Sequence, residues 1–261
     1  MKGWNPAHEL SQTSCIIATQ CIITGDVQAY TATHNNQGNQ DHLPHSLSAK
    51  VLDKILENPY EWQKRLLPAR YGRNPDPVES KDFHKWLNVI LKEIRKDLNK
   101  ILLTNMHIPN RAKKTPSLLN VPTIETMIVK AIGILIDLQK RTRLHWRSRY
   151  AWLADLTLRF QQRMQLIHWG YNLADYNNHS FWAVVDNKLE ELRTKSVRYC
   201  YVYFHEVLSL DFDQFDGERA FTEIQKTTDF ALPSEEEVQA RIKHLDQTHR
   251  AVIGEKEAFH Q

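Results

Sequence analysis

Arg163 and His168 are separated by four residues in a stretch that we predict to be helical, so both side chains could reach one substrate. The arginine could hold a phosphate while the histidine moves the proton of a 2′-hydroxyl, which is the chemistry of a ribonuclease. A chain with 13 histidines also contains such arginine–histidine pairs by chance. Arg198 and His205 are a second example. Met164 also stands where such helical signatures often carry a polar residue. We therefore treat a nuclease as the minority hypothesis.

Four acidic residues near the carboxyl end, Asp211, Asp213, Asp216 and Glu218, could form a calcium loop. An EF-hand loop that began at Asp211 would need Gly at its sixth position and Glu at its twelfth. The sequence has Asp216 and Thr222 there. The pattern therefore favours a solvated acidic turn.

Three histidines, His34, His42 and His45, lie in or beside a polar loop and could in principle bind a metal ion. Their spacing matches no closed zinc site. The chain also lacks the glycine-rich loops that hold nucleotide phosphates and the usual hydrolase motifs. We predict no metal site, no cofactor and no enzymatic activity.

The charge of the chain is unevenly distributed. Residues 61–115 carry 13 Lys and Arg against 6 Asp and Glu, whereas residues 186–261 carry 10 against 16. A basic middle can contact a polyanion, or it can attract the acidic end of the same chain. Three cysteines without a C-x-x-C pair, and the absence of a signal-like apolar run, predict a cytoplasmic protein without a membrane segment.

Trp146 stands among several arginines, including Arg141, Arg143 and Arg147. An aromatic ring surrounded by guanidinium groups could contact nucleic-acid phosphates and bases. The same arginines could instead stand at an exposed helix end, where the helix dipole favours cations. Both interpretations stay open.

The hydrophobic pattern predicts a mainly α fold, a helical body with a short N-terminal β element. Residues 14–33 are rich in β-branched side chains, and residues 27–33 alternate as a strand does. Ser46 or Ser48 should cap a short helix that ends before Pro59. The expected domains are 1–75, 76–210 and 211–261. Further helices are predicted at 59–68, 81–103, about 123–143, 150–169, from Ser180 through Tyr203, and after the capping box of Ser234 and Glu237.

A strand followed by two short helices and a longer helical body is the order of a ribbon-helix-helix protein, in which paired strands of two chains enter the major groove. The chain also resembles the AcaB-like regulators of conjugative plasmids and integrating conjugative elements over residues 25–190. The resemblance is carried by VQAYTATH, DFHKWLNVILKEIRKDLN and WLADLTLRFQQRMQLIHWGYNLADYNNHSFWA. The Gly-Arg pair that follows the strand in that family is absent here. The resemblance implies sequence-specific binding of double-stranded DNA, transcription regulation and a homodimer.

Our leading hypothesis is therefore a DNA-binding transcriptional regulator of a mobile genetic element. Its alternatives are a helical HEPN-type ribonuclease, which would use Arg163 and His168, and a helical interaction or assembly factor whose acidic end, 211–261, binds a partner. The hypothesis requires residues 27–33 to face outward. Gln28 and Tyr30 would then read bases, Val27 and Ala29 would pack on helix 81–103, and Lys64, Arg65, Arg70 and Arg73 would contact the DNA backbone.

Overall fold

The computed structural model describes residues 4–23, 27–35, 42–69, 71, 76–106, 119–142, 181–228 and 231–258. These residues form a mainly α fold, as predicted. None of the helices within these ranges has the length and hydropathy that a membrane crossing requires. The helices are α1 (His8–Ile22), α2 (Leu47–Leu56), α3 (Tyr60–Leu66), α4 (Pro77–Leu102), α5 (Ile124–Thr142), α6 (Phe181–Arg193), α7 (Val197–Gln214), α8 (Phe221–Thr227) and α9 (Glu235–Ala258).

Helix α1 corrects the prediction that residues 14–33 are β-rich. It packs on α2, α4 and α5 and buries Ile16, Ile17 and Ile22 among them. β-branched side chains favour strands only weakly, and burial against neighbouring helices overrides that preference.

Two short helices and one long helix follow, close to the predicted positions. The hydroxyl of Ser46 accepts a hydrogen bond from the backbone N–H of Ala49 and caps α2. The carboxylate of Asp76 caps α4, and Pro77 occupies its first turn, where a missing N–H costs nothing. The inner face of α4 buries Phe83, Leu87, Ile90, Leu91, Leu98 and Leu102.

The helix predicted from Ser180 through Tyr203 is two helices, α6 and α7. The helix is interrupted at residues 194–196. The hydroxyl of Ser196 accepts a hydrogen bond from the backbone N–H of Tyr199 and caps the start of α7. The apolar period continues across this break, so the sequence pattern did not reveal it. Residues 211–214 of the expected acidic loop are helical and belong to α7.

Helix α9 packs on α7 and is capped as expected, with Ser234 and Glu237 bonding to each other's backbone. Val238 is buried there, and Arg241 of α9 lies 3.2 Å from Glu206 of α7. One apolar cluster includes residues from α1 through α9. The three predicted domains remain a prediction.

The N-terminal β element is not formed in the described part of the chain, which contains two isolated bridges and no strand. Residues 27–35 run instead beside residues 42–47 of the same chain. The backbone N–H of Gln28 donates to the carbonyl of His45, and that of Leu43 to the carbonyl of Thr33, both at 2.9 Å. The N–H of Leu47 donates to the carbonyl of Ala29 at 2.8 Å. Residues 27–33 therefore do not form the strand that a ribbon-helix-helix dimer would pair with its counterpart.

Candidate functional site

The carboxylate of Asp186, on α6, accepts hydrogen bonds from the backbone N–H groups of residues 30–32. Asp186 is only 3% exposed. Its Oδ1 accepts the N–H of Tyr30 at 2.6 Å. Its Oδ2 accepts the N–H groups of Thr31 and Ala32, at 2.8 and 3.1 Å, and the hydroxyl of Thr31. A buried carboxylate needs such donors because it has left water. One side chain thus satisfies three successive amides that a strand would otherwise pair.

Two arginines bind the carbonyl groups of the same segment. Arg95 of α4 donates from Nη1 to the Tyr30 carbonyl at 2.8 Å. Arg193 of α6 donates to the Gln28 carbonyl at 2.5 Å and to Oδ1 of Asn35 at 3.0 Å. We call Asp186, Arg95 and Arg193, with residues 27–35, the Asp186 clasp.

The electrostatics of the clasp are those of a structural element. Burial lowers the pKa of the Arg95 guanidinium, and the negative charge of Asp186 opposes that shift. Burial likewise lowers the pKa of Arg193, against the charges of Glu190 and Asp186. Arginine nevertheless stays charged in proteins. Because donors occupy both oxygens of Asp186, it has little capacity to act as a general base.

The two residues expected to read bases lie inside this clasp, which corrects the prediction for residues 27–33. Tyr30 is 1% exposed, and its ring centroid lies 5.0 Å from that of Trp182. The Oε1 of Gln28 accepts the backbone N–H of His45 at 2.9 Å. Val27 and Ala29 are also buried. Residues 27–30 are therefore packed against their own chain, whereas Thr31 and Thr33 of the same segment are exposed.

The predicted backbone contacts are only partly described. Lys64 is exposed beside a shallow cleft that it lines with Glu61, Trp62 and Arg65. Arg65 lies 2.8 Å from Glu9 of α1, so much of its charge is compensated. The backbone of Arg141 belongs to α5, but its side chain is not described. The remaining predicted contacts, Arg70, Arg73, Arg143 and Arg147, lie outside the described residues, as does the nuclease pair Arg163 and His168.

The histidine loop brings two imidazoles together and not three. His34 and His42 form an isolated antiparallel bridge, with ring centroids 5.4 Å apart. Within the described ranges, no three His, Cys, Asp or Glu side chains are arranged to hold a metal ion. Of the acidic residues, Asp211 is buried and Asp216 pairs with Arg219 at 2.8 Å.

The outer face of α4 carries exposed cations on one line. Lys81, Lys85, Asn88 and Lys92 are exposed and fall within about 60° of one another around the helix axis. Among the described residues, no carboxylate lies within ion-pair distance of these three lysines, whereas Lys96 and Lys100 pair with Glu93 and Asp97. We call Lys81, Lys85, Asn88 and Lys92 the lysine face.

Sequence reasoning missed Asp186, Arg95 and Arg193. One signal was present: Asp186 and Glu190 are separated by one helical turn and lie on the same side of α6 as Trp182, Val185 and Leu189, which are buried. An acidic residue on an apolar face needs an internal partner. Comparisons with protein-family models, with curated proteins and with solved structures find no match to this chain.

Proposed function

We propose that the protein is a non-enzymatic regulator that binds double-stranded DNA, with the lysine face of α4 against the phosphates. The resemblance to AcaB-like regulators supplies the class of ligand. The sequence hypothesis required residues 27–33 to face outward, and the burial of Tyr30 and the bond from His45 N–H to the Gln28 amide contradict that requirement. The proposal therefore gives up base reading by this segment and keeps only contact with the DNA phosphates. Sequence specificity, a homodimer and carriage on a mobile genetic element remain predictions from the resemblance.

The observation that carries this proposal is the spacing of Lys81, Lys85 and Lys92 on one exposed line. At 1.5 Å per residue, the three lysines span roughly 16 Å along α4. Duplex DNA carries one phosphate per about 1.7 Å of its axis, so a straight row of cations of this length meets several phosphates. Lysines that already pair with carboxylates would have less charge to offer.

Replacing Lys81, Lys85 and Lys92 together by Gln tests the lysine face. Each lost charged contact should cost about 1 kcal/mol, which for three contacts weakens binding on the order of a hundredfold. The slope of log affinity against log salt should fall by about 3, because about one counterion is released per phosphate contact. Gel shift or fluorescence anisotropy with a duplex across a salt series measures both.

The control changes Lys54, Lys226 and Lys243 to Gln, which removes the same charge from exposed positions on α2, α8 and α9. This variant should retain the affinity and salt slope of the wild-type protein to within a small factor. The proposal fails if the wild-type protein binds no duplex at low salt. It also fails if the two triple variants lose affinity equally.

A further inference from the structure

Helix α7 has a second apolar face, which points to solvent. Val197 is 88% exposed, Tyr201 60% and Phe212 43%, and Leu208 between them is half-buried. At 100° per residue these four side chains lie within a sector of about 60° and form a stripe about 22 Å long. We call Val197, Tyr201, Leu208 and Phe212 the α7 stripe. Exposed apolar surface of this continuity marks an interaction site.

The spacing of the stripe is the same in both chain directions. Its four residues are separated by four, seven and four positions. A second copy that runs antiparallel would therefore set its Phe212 opposite Val197 and its Leu208 opposite Tyr201, with the two-fold axis between residues 204 and 205. We propose that two copies of the chain pair through the α7 stripe in this way. Pairing on a two-fold axis is the commonest form of protein self-association.

The charges at the two ends of the stripe favour the antiparallel direction. Lys195 and Arg198 stand near its first residue, and the exposed Asp213 and Asp216 stand near its last. Antiparallel helices place the basic end of each copy beside the acidic end of the other, and their helix dipoles oppose. Lys195, Arg198 and Asp216 already pair with Glu235, Asp246 and Arg219 of their own chain, so these charges set direction more than affinity.

The interface is small, because one helix from each copy supplies it. A contact of this size lies at the low end of protein interfaces, so the dimer should dissociate in the micromolar range. The pairing does not depend on DNA binding. It also differs from ribbon-helix-helix pairing, which would use residues 27–33.

Sedimentation velocity on the full chain from about 1 to 100 µM tests the pairing, because that range brackets the expected dissociation constant. The wild-type protein should shift from monomer to dimer. Changing both Tyr201 and Phe212 to Glu should raise the dissociation constant about tenfold or more, since each copy would bury two charges within the interface. The matched control changes Tyr60 and Val129, exposed on α3 and α5, to Glu and should dimerise as the wild type does.

A monomer at all concentrations, or an unchanged dimer in the Tyr201 and Phe212 variant, overturns the proposal. Disulfide trapping then tests the register in a variant without Cys15, Cys21 and Cys200. Residue 205 lies beside the two-fold axis, so a His205→Cys variant should cross-link to the same residue of the second copy. Ser209→Cys should not, because the two copies of that residue would be about 13 Å apart along the helices, beyond the reach of a disulfide. Equal cross-linking at both positions contradicts the antiparallel pairing.

Discussion

Asp186 accepts a 2.6 Å hydrogen bond from the backbone N–H of Tyr30, a residue 156 positions earlier in the chain. The bond joins α6 to a segment that precedes α2, and Arg95 of α4 binds the carbonyl of the same tyrosine. Three distant parts of the chain thus meet at one residue. The Asp186 clasp therefore connects the amino-terminal helices with α6.

Asp186→Ala should strongly destabilise the protein. The change leaves the amides of Tyr30, Thr31 and Ala32 without their acceptor. It also removes the negative charge near Arg95, whereas Arg193 keeps that of Glu190. Removing one member of a buried charged network costs about 3–5 kcal/mol. Urea denaturation followed by circular dichroism measures the free energy of unfolding.

The control is Asp53→Ala on α2, because Asp53 is exposed and no ion pair involving it is found in the described residues. That change should alter the free energy of unfolding by less than about 0.5 kcal/mol. Equal stability of the two variants would show that the clasp contributes nothing.

Tyr30→Ala distinguishes a buried residue from a base-reading one. Removing a fully buried aromatic ring should lower the free energy of unfolding by about 3–5 kcal/mol. The contact with Trp182 should also be lost, which shifts the tryptophan emission. The DNA affinity of the folded fraction, measured at low temperature, should stay unchanged. A stable variant with selectively weakened DNA binding would restore the outward orientation that the structure contradicts.

Two glycines should respond to Ala in opposite directions. Gly217 has φ of 85°, and a Cβ there would lie 3.1 Å from Cγ2 of Thr123, so Gly217→Ala should cost about 1–2 kcal/mol. A Cβ at Gly133, within α5, meets no heavy atom of the described residues within 4 Å. Gly133→Ala should therefore stabilise by about 0.5–1 kcal/mol. Thermal unfolding measures the midpoints of both variants. Shifts of the two midpoints in the same direction would contradict the prediction.

The capping box of α9 predicts a pH effect at Glu237. The backbone N–H of Ser234 donates to its carboxylate at 2.7 Å, which lowers the pKa of Glu237 in the folded protein. This carboxylate therefore stabilises the fold above its unfolded-state pKa, and the contribution is lost as pH falls through the lower folded-state value. Carboxyl carbon chemical shifts titrated in buffer and in concentrated urea measure both values. Identical midpoints would rule out the cap in solution.

Local signals predicted the helices whose ends are set locally. Ser46, Pro59 and the apolar spacing of α4 depend on residues a few positions apart, and the structure places α2, α3 and α4 close to the expected bounds. Two errors arose where the local pattern pointed to the wrong structure. The isoleucines of α1 favour a strand locally but are buried against α2, α4 and α5, and the apolar period hides the break at Ser196.

The candidate site was less predictable because its partners are far apart in sequence. Nothing within ten residues of Tyr30 indicates that Asp186 will bind its amide, and the alternation of residues 27–33 suited an exposed strand equally well. The lysines of α4 were visible in the sequence as part of the basic charge of residues 61–115. That Lys81, Lys85 and Lys92 have no carboxylate partner among the described residues became apparent only with the neighbouring side chains in place.

The Asp186 clasp also imposes an order on biosynthesis. At about 5–20 residues per second, translation takes roughly 8–30 s to pass from Thr31 to Asp186. During that interval three successive amides of the nascent chain have only water, or a transient partner, to bond. The amino-terminal core can therefore reach its final packing only after α6 has emerged from the ribosome. A chain truncated before residue 186 would keep that segment unsatisfied and exposed to chaperones and proteases.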